Sequence, residues 1–254
     1  MSWFLTVGRR AHPRVRVFCF PWAGVGSAVY RLWPAAFSDD VEVLPIQLPG
    51  RGWRVSEDPV RDLEALADQV TEAMLPLCDR PFVVFGHSMG SWLGLLASER
   101  LEALGRVPEA VLASGRQGPA SGPLMSPMTH LDDGAFLDEM QRRYAAIPSE
   151  VVSDPELLSL VLPALRADIE AMERYRHRPG PKVSCPIVAI GGESDPVVPV
   201  RHLVTWADET SGSFDLHTAP GGHFYLEDDP EPAHALIRAA TRGVAPEFGA
   251  GSSR

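Results

Sequence analysis

A short apolar run, Phe82-Val83-Val84-Phe85, leads without a break into Gly86-His87-Ser88-Met89-Gly90 and then into the helical pattern 91–101. No other stretch limits the fold so strongly. A strand that turns at once into a helix reaches a parallel neighbour only after a crossover, so the chain has to build a sheet with helices on its faces. The turn is tight. Gly86 and Gly90 let the backbone pass closely, and Ser88 between them lifts its hydroxyl above the sheet edge. The spacing G-x-S-x-G is weak alone; the agreement of strand, turn and helix gives it weight.

The rest of the chain repeats the alternation. Runs dense in Val, Ile and Phe at 14–20, 41–46, 81–85, 110–114, 186–190 and 213–218 predict strands buried on both faces. Within 60–78, Leu63, Leu66, Val70, Met74 and Leu77 step by 3, 4, 4 and 3, one apolar stripe of an amphipathic helix. Residues 89–104 and 231–242 read as further helices. The expected fold class is α/β, a mostly parallel, doubly wound sheet forming a single domain over 1–254. A chain of 254 residues suits one large domain that buries its core without staples.

One connection is too long. About 70 residues lie between the strand ending near 114 and the strand starting near 186, where a crossover needs about a dozen. The stretch 117–128 is rich in Gly, Pro, Ser and Met, and helix-like pieces follow at 132–146, 154–162 and 164–175. Residues 117–180 are therefore expected to form a helical insertion, and at the C-terminal edge of such a sheet a lid. The tail 249–254 has nothing to bury and is expected to be disordered.

A serine hydroxyl attacks only when a base removes its proton. With this turn, the acid and then the histidine follow the serine, each in a loop after a later strand. His12 lies too early, and His130 and His177 fall in the insertion. His202 and His234 sit in helical patterns, and His217 lies inside a strand. His87 adjoins Ser88 and is read as packing or a local hydrogen bond. His223, in Pro220-Gly221-Gly222-His223-Phe224 after the last strand, is the expected base. The strand after the serine ends Ser114-Gly115-Arg116, without a carboxylate. The next leads into Gly191-Gly192-Glu193-Ser194-Asp195-Pro196, which offers Asp195 as the acid, with Glu193 as its rival. Asp195 would hold the imidazole in one tautomer and stabilise its charged form. Backbone amides must meet the oxyanion. Met89, just after Ser88, supplies one. The loop 21–27 after the first strand supplies the other, Ala23 being preferred and Trp22 the alternative.

The net charge of −10 argues against broad binding to a phosphate backbone. Cys19, Cys78 and Cys185 are odd in number and far apart, so neither a disulfide framework nor a paired-cysteine metal site is expected. No stretch approaches the roughly 20 apolar residues of a membrane span. The N-terminal ten residues have no signal-peptide core, which makes the cytoplasm the default address.

Taken together, these segments resemble the stand-alone type II thioesterases of polyketide synthase and nonribosomal peptide synthetase pathways. The matching stretches are Phe20-Pro21-Trp22-Ala23-Gly24, Gln47-Leu48-Pro49-Gly50-Arg51, Gly86-His87-Ser88-Met89-Gly90, Leu165-Arg166-Ala167-Asp168, Gly192-Glu193-Ser194-Asp195 and Gly221-Gly222-His223-Phe224-Tyr225. They run in order along almost the whole chain. The resemblance implies an α/β-hydrolase fold with a mobile helical lid, and hydrolysis of acyl groups from the phosphopantetheine thiol of acyl or peptidyl carrier proteins. In that family this clears stalled or wrong acyl units. It puts the nucleophile on Ser88, the acid on Asp195, the base on His223 and the oxyanion amides on Ala23 and Met89. No metal or other cofactor is implied, because the substrate carries the phosphopantetheine. Nucleic acid and membrane are not expected partners, and a monomer is expected. One departure stands out. The family usually has a second glycine after that of the first loop, where this chain has Val25 before Gly26.

Trp22, Val25, Met125, Met128 and Phe224 are the expected substrate contacts, the two methionines as lining of an acyl channel. Docking an acidic carrier on an acidic enzyme needs a basic patch, for which Arg51, Arg54, Arg142, Arg143, Arg174, Arg176 and Arg178 are available. Spacing alone indicates only a serine hydrolase. It leaves open an esterase or lipase of small free esters, a chain-releasing thioesterase, and a binding protein on an inactive scaffold.

Overall fold

A computed structural model describes residues 2–144, 153–180 and 182–244. Its strands are β1 (Val15–Phe20), β2 (Val41–Pro45), β3 (Phe82–His87), β4 (Ala110–Ser114), β5 (Ile187–Gly192) and β6 (Phe214–Ala219). They form one sheet in the order β2-β1-β3-β4-β5-β6. Each neighbouring pair is parallel. Strands β1 to β4 are buried throughout and mostly apolar, the charges of Arg16 in β1 and Glu42 in β2 being buried as a pair at 2.8 Å, while edge strand β6 exposes Asp215 and His217.

Helices cover both faces. They are α1 (Leu63–Met74), α2 (Met89–Ala103), α3 (Asp133–Tyr144), α4 (Pro155–Arg174), α5 (Tyr225–Asp228) and α6 (Glu231–Arg242). Successive residues of β3 point to opposite faces. Phe82 and Val84 join Leu66, Val70 and Leu93 under α1 and α2, while Val83 and Phe85 join Tyr225 and Ile237 on the other side. The helix expected over 60–78 is shorter, and the reasons are local. Asp62 caps it by accepting the Ala65 N–H at 2.9 Å, and Pro76, which has no N–H, falls in a 3₁₀ turn, Leu75–Leu77, that closes it.

The insertion is also helical, with one correction. The pieces expected at 154–162 and 164–175 are one helix, α4, with Pro163 inside it. Pro163 and Ser159 are exposed, so the carbonyl that loses its bond at the proline can meet water. Asp154 caps α4 through the Glu156 and Leu157 N–H groups. Met128, Phe136, Met140, Leu165 and Ile169 form a small apolar cluster of their own within this segment. The end of the helix expected over 132–146 and the tail 249–254 lie outside the described residues.

The three cysteines are free and buried, and burial raises each thiol, to about 12 at Cys78 and Cys185. Among the described residues no helix is long and apolar enough to cross a membrane. The sheet order reverses beside β1, since β2 lies on one side of it and β3 on the other. In open α/β sheets a ligand crevice forms outside the carboxyl ends of the strands at such a switch. The loops after β1 and β3, which carry Ala23 and Ser88, both leave from that edge.

Candidate active site

Ser88 occupies a strained turn. It has φ 52° and ψ −118°, the positive-φ region that a side chain rarely adopts. Its neighbours explain the motif's glycines. A Cβ on Gly86 would lie 2.1 Å from the Gly90 carbonyl oxygen, and one on Gly90 would lie 2.3 Å from that of Phe20. The turn is sewn to β4, where the Ser88 N–H donates to the Ser114 carbonyl at 2.8 Å. The Ser91 hydroxyl reaches the carbonyls of Gly86 and Ser114.

Loops after β5 and β6 bring two further residues to Ser88. The Ser88 hydroxyl and His223 Nε2 are 3.1 Å apart, and His223 Nδ1 lies 2.8 Å from Asp195 Oδ2. All three side chains are buried. The other Asp195 oxygen accepts the N–H groups of Val197 and Val198 at 2.7 and 3.0 Å, which fixes the carboxylate's direction. Glu193, its rival on sequence grounds, turns outward and accepts from the Thr218 hydroxyl in an exposed contact. The Ala23 and Met89 N–H groups meet no protein acceptor among the described residues, so both can serve a substrate oxygen.

His87 is different. It is wholly buried, with Nδ1 2.8 Å from the Ser114 hydroxyl, which in turn is 2.8 Å from the Tyr225 hydroxyl. Burial, with the nearby His223 adding to it, holds its pKa well below the usual histidine value, so the ring is neutral. Trp22 packs edge-on against His87 and at a tilt against Phe224. Trp22 belongs to the apolar cluster on the α6 side of the sheet, and Val25 and Phe224, partly buried, pack against that cluster.

A cavity of about 540 Å³ opens between the insertion and the sheet edge. Met125 and Met128 line it together with Trp92, Ile169, Met172, Val197 and Val198. Tyr144, also in its wall, stands against the His223 ring at 5.5 Å between centroids. Trp22, Val25 and Phe224 are not among the residues that line it. Arg116 and Gln117 are cavity residues that sequence reasoning passed over, although the missing carboxylate after β4 had pointed at their loop. The Arg116 guanidinium lies over the Trp92 ring, 4.2 Å from its centroid.

The expected basic patch is mostly neutralised. Arg51 and Arg54 are buried and paired, with Asp168 and Glu57. Arg142 and Arg143 share Glu139, Arg174 pairs with Glu170, and Arg178 lies 3.6 Å from Glu64. Arg176 is exposed and donates to the backbone carbonyls of Glu173 and Tyr175.

A parallel sheet flanked by helices, with a serine in a strained strand-to-helix turn, defines the class: this is the α/β-hydrolase fold. Comparison with known proteins narrows it. The family model for the thioesterase domain matches residues 15–241. A probable cadicidin biosynthesis thioesterase of Streptomyces griseus is 41% identical over 91% of this chain, which spans 65% of that relative's length. Thioesterase PikA5 of Streptomyces venezuelae is 39% identical over 87% of the chain and 80% of its own length. Among solved structures, the type II thioesterase BorB from the borrelidin biosynthetic cluster superposes with a TM-score of 0.85 at 35% identity, covering 94% of this chain and 98% of BorB. The chain belongs to the thioesterase family, whose members hydrolyse thioesters.

Proposed function

We propose that this protein is an editing thioesterase of polyketide or nonribosomal peptide biosynthesis, removing acyl groups from the phosphopantetheine thiol of carrier proteins in the cytoplasm. The observation that carries the reading is the unbroken hydrogen-bonded chain from Ser88 through His223 to Asp195. Pathway and carrier are inferred from relatives named for cadicidin and borrelidin biosynthesis.

In this reading Ser88 Oγ attacks the thioester carbonyl carbon while His223 Nε2 takes its proton. Asp195 accepts from Nδ1–H and stabilises the imidazolium. The Ala23 and Met89 amides receive the oxyanion. The C–S bond then breaks, and the thiolate leaves with the proton from His223. Water, deprotonated by the same imidazole, attacks the acyl-enzyme, and Ser88 recovers its proton as the free acid departs. No step calls for a metal or cofactor. The cavity beside Tyr144 receives the acyl chain, with Met125 and Met128 as its adaptable lining.

The test is hydrolysis of a carrier-bound acyl thioester beside its matched small oxygen ester. Wild type should favour the carrier thioester, and Ser88→Ala should abolish its turnover. Unchanged turnover in that variant would sink the assignment. Preference for the free ester would identify a general esterase instead.

A further inference from the structure

The loop that carries the Ala23 amide is held from the insertion side by a single carboxylate. Asp168, on α4, is fully buried although it is an acid. Its Oδ2 accepts the Gly24 N–H at 2.8 Å. The same oxygen pairs with Arg51 Nη1, and Oδ1 accepts Arg51 Nη2 at 2.9 Å. Arg51 in turn donates to the Pro49 carbonyl and, at 3.5 Å, to that of Val25. Leu165, one turn before Asp168, packs on Gly24 so closely that a Cβ there would lie 2.8 Å from its Cδ1.

Gly24 is the hinge of this arrangement. It has φ +80° in a turn closed by the Val25 N–H on the Trp22 carbonyl at 3.4 Å. That pattern matches a type II turn, whose third residue needs a positive φ. The central peptide of such a turn, here 23–24, can flip over to give the type I form. A carboxylate on the Gly24 N–H favours one orientation, because the flipped peptide would turn the Ala23 carbonyl oxygen toward the negative charge. The Ala23 N–H, one peptide earlier, is thereby held in place.

We infer that Asp168 is a positioning residue for the oxyanion site: by accepting the Gly24 N–H it sets the 22–25 turn, so that seating of the insertion helix and assembly of the oxyanion site are one event. The inference rests on the function proposed above. Its energetic content lies in the transition state, where oxyanion donors act, and not in ground-state binding of the acyl group.

The experiment compares wild type, Asp168→Asn and Asp168→Glu on a short soluble acyl thioester, with an alkylboronic acid as a tetrahedral oxyanion mimic. Asparagine is uncharged and puts an NH2 group where the carboxylate has its second acceptor oxygen, so the two-oxygen pair with Arg51 is lost and with it the charge that opposes the flipped 23–24 peptide. The expected result for Asp168→Asn is a loss of roughly 10- to 100-fold in kcat with KM within about threefold, and an equal loss of boronate affinity. Arg51→Lys, which leaves the carboxylate on Gly24, should lower the melting temperature and lose less activity. Should Asp168→Asn fail to fold, Asp168→Glu, which keeps the charge for Arg51 but moves the oxygen at Gly24, carries the same prediction. Folded protein with unchanged kcat and boronate affinity overturns the role of Asp168, and so do equal activity losses in Asp168→Asn and Arg51→Lys. A wild type that hydrolyses no thioester overturns the proposed function itself, and this inference with it.

Discussion

The two walls of the site are held by different physics. On the sheet side, Ser88, Asp195 and His223 each follow within a few residues the end of a strand; the strands are locked by parallel ladders, and β3 and β5 by burial as well, while β6 is a half-exposed edge. On the insertion side, polar clamps stand where ladders would be. Asp168 holds Arg51 and Gly24, Glu173 accepts the Met128 N–H at 2.6 Å, and Glu209 of the core accepts the Ala120 N–H at 3.0 Å while lying 3.6 Å from His177. Ala120 and His177 stand near the two ends of the insertion, so one carboxyl group touches both of its stems. The first wall carries the proposed reacting groups and cannot shift without loss of the sheet. The second is joined to the core largely through buried charged and polar groups, so its contacts respond to pH and charge.

The strongest way to break this contrast is to exchange the two histidines of the rigid wall. His87 and His223 are buried with ring centroids 5.3 Å apart, yet only His223 reaches Ser88. His223→Asn should lower kcat by at least about 10³-fold with little change in melting temperature. His87→Asn should keep kcat within about tenfold and lose roughly 1–3 kcal/mol, because it disturbs the buried bond to Ser114. Steady-state kinetics and thermal melts on both variants decide it. If His87→Asn is the inactive one, the roles are reversed.

Glu209 tests the clamped wall. Burial pushes its carboxyl up to about 7; Asp208 and Glu99 add to this, while the Ala120 N–H and Lys182 oppose it. His177, facing it from the insertion, is lowered by burial and by Lys182. An unfolded glutamate titrates near about 4.3. Between that value and about 7 the folded protein keeps a proton that the unfolded chain has released, so stability from this group falls as pH rises. The full cost, present above about 7, is at most about 4 kcal/mol. Glu209→Gln removes the charge and keeps an acceptor for Ala120. It should therefore be more stable than wild type by about 1–3 kcal/mol at pH 8 and equal to it at pH 4. Denaturant melts at the two pH values check this, and a gain of the same size at both would remove titration as the cause.

How far each wall could be read beforehand follows from the same difference. The strands needed no tertiary information, because a buried parallel strand is a mostly apolar run and its loop comes next; the loops of Ser88, Asp195 and His223 followed from strand order, while only packing separates Asp195 from Glu193. The insertion was visible only as excess length and helical period. Its clamps join residues far apart in the chain: Asp168 meets Arg51, and Glu209 meets Ala120. Both acids look like ordinary solvated charges in sequence, and only packing makes them buried. Pro163 misled for a related reason, since a helix tolerates proline where the broken bond faces water. The arginines misled because charge can be counted from sequence but its pairing cannot.

Pairing leaves Arg176 as the sharpest probe of the outer face of the insertion. Its guanidinium is exposed at the cavity mouth and donates to backbone carbonyls, so its charge is not cancelled in those contacts as that of Arg142 or Arg174 is by a glutamate. An exposed rim charge acts chiefly on the rate of encounter, and salt screens it. Arg176→Glu should lower kcat/KM for an acyl group on an acidic carrier by roughly 3- to 10-fold at low salt. The deficit should close near 0.5 M salt, where the Debye length falls to about 4 Å. A short thioester lacking the carrier should be unaffected at either salt. An equal loss on the short thioester would move Arg176 from the docking face to the acyl cavity. No loss on either substrate would remove Arg176 from carrier docking.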